Sequence, residues 1–205
     1  MAISFDVMQA FFWSVTYILI IVFNIKYKYT AMPLFAMCNN FAWETVALVR
    51  DILFGSWGIG SVIHIAWFTL DIAIVITYLL LCKKLYCKKI FSLLIYVVSL
   101  LICVLSFNTW ALGMLISSFI IDFIMAVEYF TYSSKEVFPA NRLSVSICTF
   151  KLIGDLCAWI YYMNDSRFIL VIGFFVLILN ILCLKNVMKR NHNNSPNRNV
   201  PTSEG

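Results

Sequence analysis

The sequence predicts an all-α membrane protein, a bundle of seven transmembrane helices. Of its 205 residues, 62% are apolar and only 12% are charged, and the mean hydropathy is +0.91. Soluble domains are about half apolar and about a quarter charged. The apolar residues form continuous runs of about 20, the length of a membrane-spanning helix, and not the alternating runs of about 10 that barrel strands need.

Seven such runs follow one another with short connections. They lie at residues 7–24, 31–53, 59–82, 89–107, 109–132, 142–163 and 167–187. Residues 1–187 are therefore predicted to be one transmembrane domain. Residues 188–205 change to Asn, Pro and Ser and are predicted to be a disordered, basic cytosolic tail. The first run has no small-residue cleavage site, so we expect it to be a retained helix.

The basic residues predict the orientation of the seven spans. One side receives twelve of them: Lys26, Lys28, Lys83, Lys84, Lys88, Lys89, Lys135, Arg142, Lys185, Lys189, Arg190 and Arg198. The other side receives only Arg50 and Arg167. Because basic loops stay in the cytosol, the N-terminus is predicted to be outside or lumenal and the C-terminus cytosolic. This topology accounts for the net charge of +5, so no nucleic-acid partner is predicted.

Five polar residues within the spans are predicted to lie at one depth. Glu44, Asp71, Asp122, Asp155 and Asn180 are each about twelve or thirteen residues from one end of their span. At 1.5 Å per residue, this places all of them near the middle of the bilayer. Ionisable groups there are costly and mark functional sites by default. The shared depth therefore predicts an interior pocket.

Some of these residues also have a purely structural interpretation. Lys151 and Asp155 are four residues apart on one helix face, so they are predicted to neutralise each other. Asp71 and Asp122 are equally consistent with hydrogen bonds that join helices.

Other polar and aromatic residues lie nearer the ends of the spans. Glu128 and His64 are expected at the membrane interfaces. Tyr78, Tyr129 and Tyr162 each follow an aspartate by seven residues and lie near span ends. They are interpreted first as an interfacial aromatic belt and second as pocket lining.

Glu44 is the strongest candidate for a reactive group. Asn40 precedes it by four residues and Trp43 is adjacent, so the three side chains fall within an arc of about 100°. An amide can orient a carboxyl group, and an indole offers an electron-rich face. An apolar setting disfavours the charged carboxylate, so Glu44 is predicted to be a proton donor. The alternative is a structural glutamate bonded to the third or seventh helix.

Common catalytic motifs are absent from the sequence. It contains no phosphate-binding loop, no HExxH, no GxSxG and no Asp-rich motif for ionising diphosphates, and its seven Cys include no CxxC pair. No metal or cofactor is therefore predicted. A buried acid, a pocket within a membrane and 17% aromatic residues suit acid-initiated carbocation chemistry on a lipid-like substrate. Aromatic faces stabilise cations by up to about 2 kcal/mol each.

The segment "MPLFAMCNNFAWE", residues 32–44, resembles the second-helix signature of the fungal integral-membrane terpene cyclases of meroterpenoid and indole-diterpene biosynthesis. In that family a Pro opens the helix, and an Asn-x-x-x-Glu or Asn-x-x-Trp-Glu cluster follows. The chain is also similar in size, helix number and the region from Trp67 to Asp71. The resemblance covers roughly residues 7–187, but only residues 32–44 are specific.

The resemblance implies a reaction and a set of roles. Glu44 would protonate the terminal epoxide, or an alkene, of a prenylated precursor in an endoplasmic reticulum membrane. Where the family has an acid on its last helix this chain has Asn180, which cannot donate a carboxyl proton, so Asp71 or Asp122 is expected to be the partner acid. The residues expected to contact substrate are Asn40, Trp43, Trp67 and Asn180.

Two other classes of protein remain open. Acids at the membrane midplane also serve proton relays, so a proton-coupled small-molecule transporter is one alternative. Transporter folds usually contain internal repeats and paired helix breaks, and this sequence has neither. The other alternative is a non-catalytic binding or assembly protein whose acids join helices.

Overall fold

The computed structural model describes residues 2–28, 30–55, 57–81, 86–109, 112–134 and 143–193, and within them the chain is entirely helical apart from short turns. The seven helices are α1 (Ala2–Tyr27), α2 (Leu34–Phe54), α3 (Ile59–Leu81), α4 (Tyr86–Thr109), α5 (Gly113–Ser134), α6 (Val145–Tyr162) and α7 (Arg167–Asn193). Each falls on one of the seven predicted runs, so the all-helical fold and the helix number are confirmed.

Six of these helices are long and apolar enough to cross a membrane, which makes the chain a multi-pass membrane protein. The helix that does not meet this description is α2, which contains Glu44, Arg50 and Asp51 among its 21 residues. Apolar side chains project outwards from the six others, as lipid contact requires; Leu105 on α4, for example, is 63% exposed.

The helices alternate in direction and pack in a closed ring in the order α1, α3, α2, α5, α7, α6, with α4 packed against α2 and α5. Contacts between helix ends define the directions. The start of α6 meets the end of α7, where the Cys148 and Cys183 Sγ atoms are 3.8 Å apart. The ends of α5 and α7 lie together, where Asn186 donates a hydrogen bond to Ser133 Oγ. One end of the bundle therefore carries the starts of α1, α3, α5 and α7; we call it the N-terminal end.

The polar helix α2 has defined boundaries. Pro33 precedes its first turn, and Gly55 ends it with φ of 63°, a left-handed conformation that glycine adopts without steric cost. The Pro33 side chain has no polar atom that could cap the free backbone amides. Instead Glu128 of α5 accepts a hydrogen bond from the backbone N–H of Ala36 at 2.6 Å. Glu128 therefore caps the start of a neighbouring helix, and its expected position at the membrane interface stays a prediction.

Close helix contacts position aromatic residues in the interior. At Gly154 of α6 a Cβ atom would lie 2.9 Å from Trp13 Cδ1, so glycine lets the indole of α1 rest on the α6 backbone.

Tyr78 and Tyr129 are 5% and 2% exposed. An aromatic belt requires contact with the membrane interface, so the first interpretation of these two tyrosines was wrong.

The C-terminal boundary also differs from the prediction. The helix α7 continues to Asn193, so residues 188–193 are helical and not part of a disordered tail. Lys189, Arg190 and His192 lie in this extension, where basic groups favour the negative end of the helix dipole. Residues 194–205 of the predicted tail lie outside the described residues.

Candidate functional site

A cavity of about 420 Å³ lies inside the bundle. Its walls come from α1 to α6, and it extends from the middle of the bundle towards the N-terminal end. This volume is in the range of small-molecule sites, which run from about 300 to 1,000 Å³. Five of the seven predicted site residues line it: Asn40, Trp43, Glu44, Trp67 and Asp122.

Glu44 lies on the cavity wall and is only 2% exposed. Its Oε2 atom makes no hydrogen bond to any residue that the structure describes. Buried polar groups almost always have partners, and an unpaired one is a candidate for ligand contact. The carboxyl group is therefore placed for chemistry on whatever fills the cavity.

The amide predicted to orient Glu44 has other partners. Asn40 Nδ2 donates to Tyr17 Oη at 2.6 Å and to Asp71 Oδ2 at 2.7 Å. No hydrogen bond between Asn40 and Glu44 occurs in the described part of the chain, so Asn40 organises α1, α2 and α3. Asp71, 1% exposed, is not a lining residue. It acts on the site through this network.

Three acids lie near the inner part of the cavity, Glu44 and Asp122 on its wall and Asp71 behind it. Asp71 and Asp122 are both close enough to Glu44 for their charges to interact with it. Asp122 is in turn close to Asp155 and Lys151. The polar layer predicted from depth counting is therefore contiguous, with Asp122 between the cavity group and the α6 group.

The α6 group is a neutralised pair. Lys151 Nζ lies 2.5 Å from Asp155 Oδ2, which confirms the predicted pairing. Asn180 Nδ2 donates to the same oxygen at 2.6 Å, and the Trp13 ring lies 5.0 Å from Lys151 Nζ. Asn180 was expected to position substrate, but it is not among the cavity residues and instead ties α7 to α6.

Tryptophans form much of the cavity wall. Trp43 Nε1 donates to Met114 O at 3.2 Å and to Ser117 Oγ at 3.1 Å, which fixes its ring against α5. Trp67 Nε1 donates to Ser14 Oγ at 3.1 Å, which fixes it against α1. Trp13 also lines the cavity. The cavity wall therefore contains three indoles, Trp13, Trp43 and Trp67.

The mouth of the cavity is polar. His64 of α3 lines it, and its Nδ1 atom lies 2.8 Å from Asp51 Oδ2 of α2. Both side chains are 13% exposed. Gln9 and Arg50 line the same region. His64, expected at the interface, is therefore part of the cavity wall.

The sequence-based prediction missed the contribution of α1. Gln9, Trp13 and Tyr17 all line the cavity, and they follow one another at intervals of four residues. Polar and aromatic residues at this spacing share one helix face, so the signal was present. Tyr162 also lines the cavity, which agrees with its second interpretation as pocket lining.

Among the residues that the structure describes, no group of three or more His, Cys, Asp or Glu side chains could hold a metal ion. Comparisons with protein-family models, with curated proteins and with solved structures find no match to this chain.

Proposed function

We propose that the protein is a membrane-bound terpene cyclase that cyclises a prenylated, epoxidised aromatic or polyketide-derived precursor. The observation that carries the proposal is the Glu44 Oε2 atom, which makes no hydrogen bond to a described residue, on the wall of a cavity of about 420 Å³. A buried acid with a free oxygen on the wall of an aromatic cavity is what proton-initiated cyclisation requires.

In the proposed reaction, Glu44 donates a proton to the epoxide oxygen. The C–O bond breaks, the oxygen leaves as a hydroxyl group, and the carbon becomes a cation that the next double bond attacks. Successive ring closures move the charge along the chain. The faces of Trp13, Trp43 and Trp67 stabilise it, and the apolar surroundings delay its capture by water.

The other two acids have supporting roles. Asp122 faces the cavity, so it is the candidate partner acid that returns a proton to Glu44 or contacts the epoxide. Asp71 is hydrogen-bonded to Asn40 behind the wall and fixes the network that includes Tyr17. Neither role calls for a metal or a cofactor.

The proposal includes seven spans, with the N-terminus outside or lumenal and the C-terminus cytosolic. Six helices are apolar enough to span, and α2 packs among α3, α4 and α5, so Glu44 faces the interior of the bundle and not lipid. Its 21 residues extend about 31 Å, which matches a bilayer core. The resemblance of residues 32–44 to the fungal cyclases supports an endoplasmic reticulum location.

A proton-coupled transporter is the second candidate. It is favoured by one observation, the position of Asp122 between the cavity acids and the Lys151–Asp155 pair, because connected acids can relay protons. Proton-driven uptake into proteoliposomes, with the solute chemically unchanged, would support this candidate against the cyclase.

The test is conversion of a farnesylated resorcinol whose terminal double bond is epoxidised. Membranes containing the native protein are expected to isomerise it to cyclic products, and Glu44→Gln is expected to lower the rate by about 10²–10⁴-fold, as loss of a general acid does. The matched control is Asp165→Asn, which changes an exposed acid in the turn after α6. Full activity of Glu44→Gln would overturn the proposal.

A further inference from the structure

We infer that His64 is the base that ends the proposed cyclisation, and that Asp51 is its positioning residue. The inference rests on the proposed function and adds to it the acceptor of the final proton. Its starting point is the bond of 2.8 Å between His64 Nδ1 and Asp51 Oδ2 at the mouth of the cavity.

The bond selects one form of the imidazole. An ionised carboxylate can only accept a hydrogen bond, so Nδ1 carries the proton and donates it to Asp51. The lone pair of the neutral ring is then on Nε2. His64 lines the cavity, whereas Asp51 is not among its lining residues, so the carboxylate lies behind the ring. The same arrangement orients histidine bases in hydrolases.

The ring is fixed from a second side as well. Trp43 meets His64 edge to face, with ring centroids 5.6 Å apart and an interplanar angle of 81°. A base held by a carboxylate and an indole loses little orientational freedom during the reaction.

Along α2, Glu44 lies further from the N-terminal end of the bundle than Asp51, the partner of His64. Glu44 and Asp51 are seven residues apart on α2, which is about 10.5 Å along the axis and returns to nearly the same face. Glu44 lies in the inner part of the cavity and His64 near its mouth. A substrate that enters epoxide first would place its aromatic head group beside His64.

This order matches the movement of charge. The cation begins at the epoxide carbon beside Glu44 and moves along the chain towards the head group with each ring closure. At the last cation, His64 Nε2 takes a proton from the neighbouring carbon, and the C–H electron pair becomes the new double bond. If the head-group hydroxyl closes the last ring, the same nitrogen takes the hydroxyl proton.

The protons balance without an oxidant or a reductant. Glu44 loses one proton to the epoxide oxygen and His64 gains one from the cation, so the product is an isomer of the substrate. The imidazolium formed is stabilised by the carboxylate of Asp51. After product release, His64 gives its proton to water at the mouth, and Glu44 regains one.

The experiment compares His64→Gln and Asp51→Asn with the native protein, using the epoxidised farnesylated resorcinol as the probe. The matched control is His192→Gln, which changes an exposed histidine at the end of α7. For His64→Gln we expect formation of the native product to fall by about 10²-fold or more, while the epoxide is still consumed. We also expect isomeric alkenes and water-captured alcohols in place of the native product. Asp51→Asn is expected to shift the product mixture in the same direction.

The outcomes separate this inference from the proposed function. Glu44→Gln leaves the epoxide intact, whereas His64→Gln opens it and ends the reaction wrongly. The native product at the native rate from His64→Gln, or from Asp51→Asn if the first variant does not accumulate, would overturn the inference alone. A native protein that leaves the probe unchanged would overturn the proposed function and this inference with it.

Discussion

Two buried acids of the bundle, Asp155 and Glu44, differ in whether they have a counter-ion and in what surrounds them. Asp155 pairs with Lys151 at 2.5 Å and also accepts a hydrogen bond from Asn180. Glu44 has no described cation as a partner. Glu44 Oε2 and Asp155 Oδ1 both lack a hydrogen bond to a described residue, so the counter-ion and not the free oxygen separates the two acids. Asp155 lies between packed helices, whereas Glu44 faces a cavity. Asp155 therefore holds the fold together, whereas Glu44 is available for chemistry.

The physical reason for this distinction is the cost of burying charge. An acid that is paired and hydrogen-bonded can remain ionised in an apolar interior, but an unpaired one cannot do so cheaply. The Lys151–Asp155 pair therefore belongs to the packing of α1, α6 and α7. Glu44 avoids this cost only when it is protonated, and the protonated form is the one that a general acid needs.

The largest effect on stability is expected from Lys151→Met. It leaves Asp155 buried without its counter-ion, which costs about 3–5 kcal/mol in buried pairs. We expect low accumulation and a strongly lowered Tm in detergent, with Lys189→Met on the exposed side of α7 as the control. Adding Asp155→Asn removes the stranded charge and should recover most of the loss. Equal stability of Lys151→Met and Lys189→Met would show that the pair does not hold the fold.

An intermediate effect is expected from Asn180→Asp. The substitution replaces the donor to Asp155 by a second carboxyl group, and a hydrogen bond to a charged group is worth about 1.5–3 kcal/mol. The Tm should fall, while turnover of the epoxidised probe per folded molecule should stay near the native value because Asn180 does not line the cavity. A rise in turnover would instead make position 180 part of the reaction.

A small effect on stability is expected from Glu44→Gln. No hydrogen bond to a described residue is lost at Oε2, so the free energy of unfolding should change by about 1 kcal/mol or less. Accumulation and Tm, measured beside Asp165→Asn, should both stay near the native values. A large loss of accumulation would show that Glu44 has a structural role, as Asp155 does.

Much of the fold could be predicted from the sequence because apolar run length and helix number are local properties. The depth of Glu44, Asp122 and Asp155 was equally predictable, since a constant rise per residue converts position into height. The partners of Asn40 were not, because Tyr17 and Asp71 come from two other helices whose rotation depends on packing.

The direction in which the buried tyrosines point could not be predicted from the sequence either. Tyr78 and Tyr129 lie near helix ends, as belt residues do, but they face the core, and sequence position alone does not give the direction. The cavity face of α1 could have been found, because Gln9, Trp13 and Tyr17 recur at intervals of four. That this face of α1 meets the face of α2 with Glu44 could not be predicted without knowing the order of the helices in the ring.

The most direct test of the distinction between the two acids is turnover of the epoxidised probe per folded molecule in Glu44→Gln and in Asp155→Asn. Folded protein is quantified in the same membranes by thermal unfolding after solubilisation. We predict a loss of about 10²–10⁴-fold for Glu44→Gln with a native Tm, and near-native turnover for Asp155→Asn with a lowered Tm. Native turnover in Glu44→Gln, or its loss only in Asp155→Asn, would contradict the account.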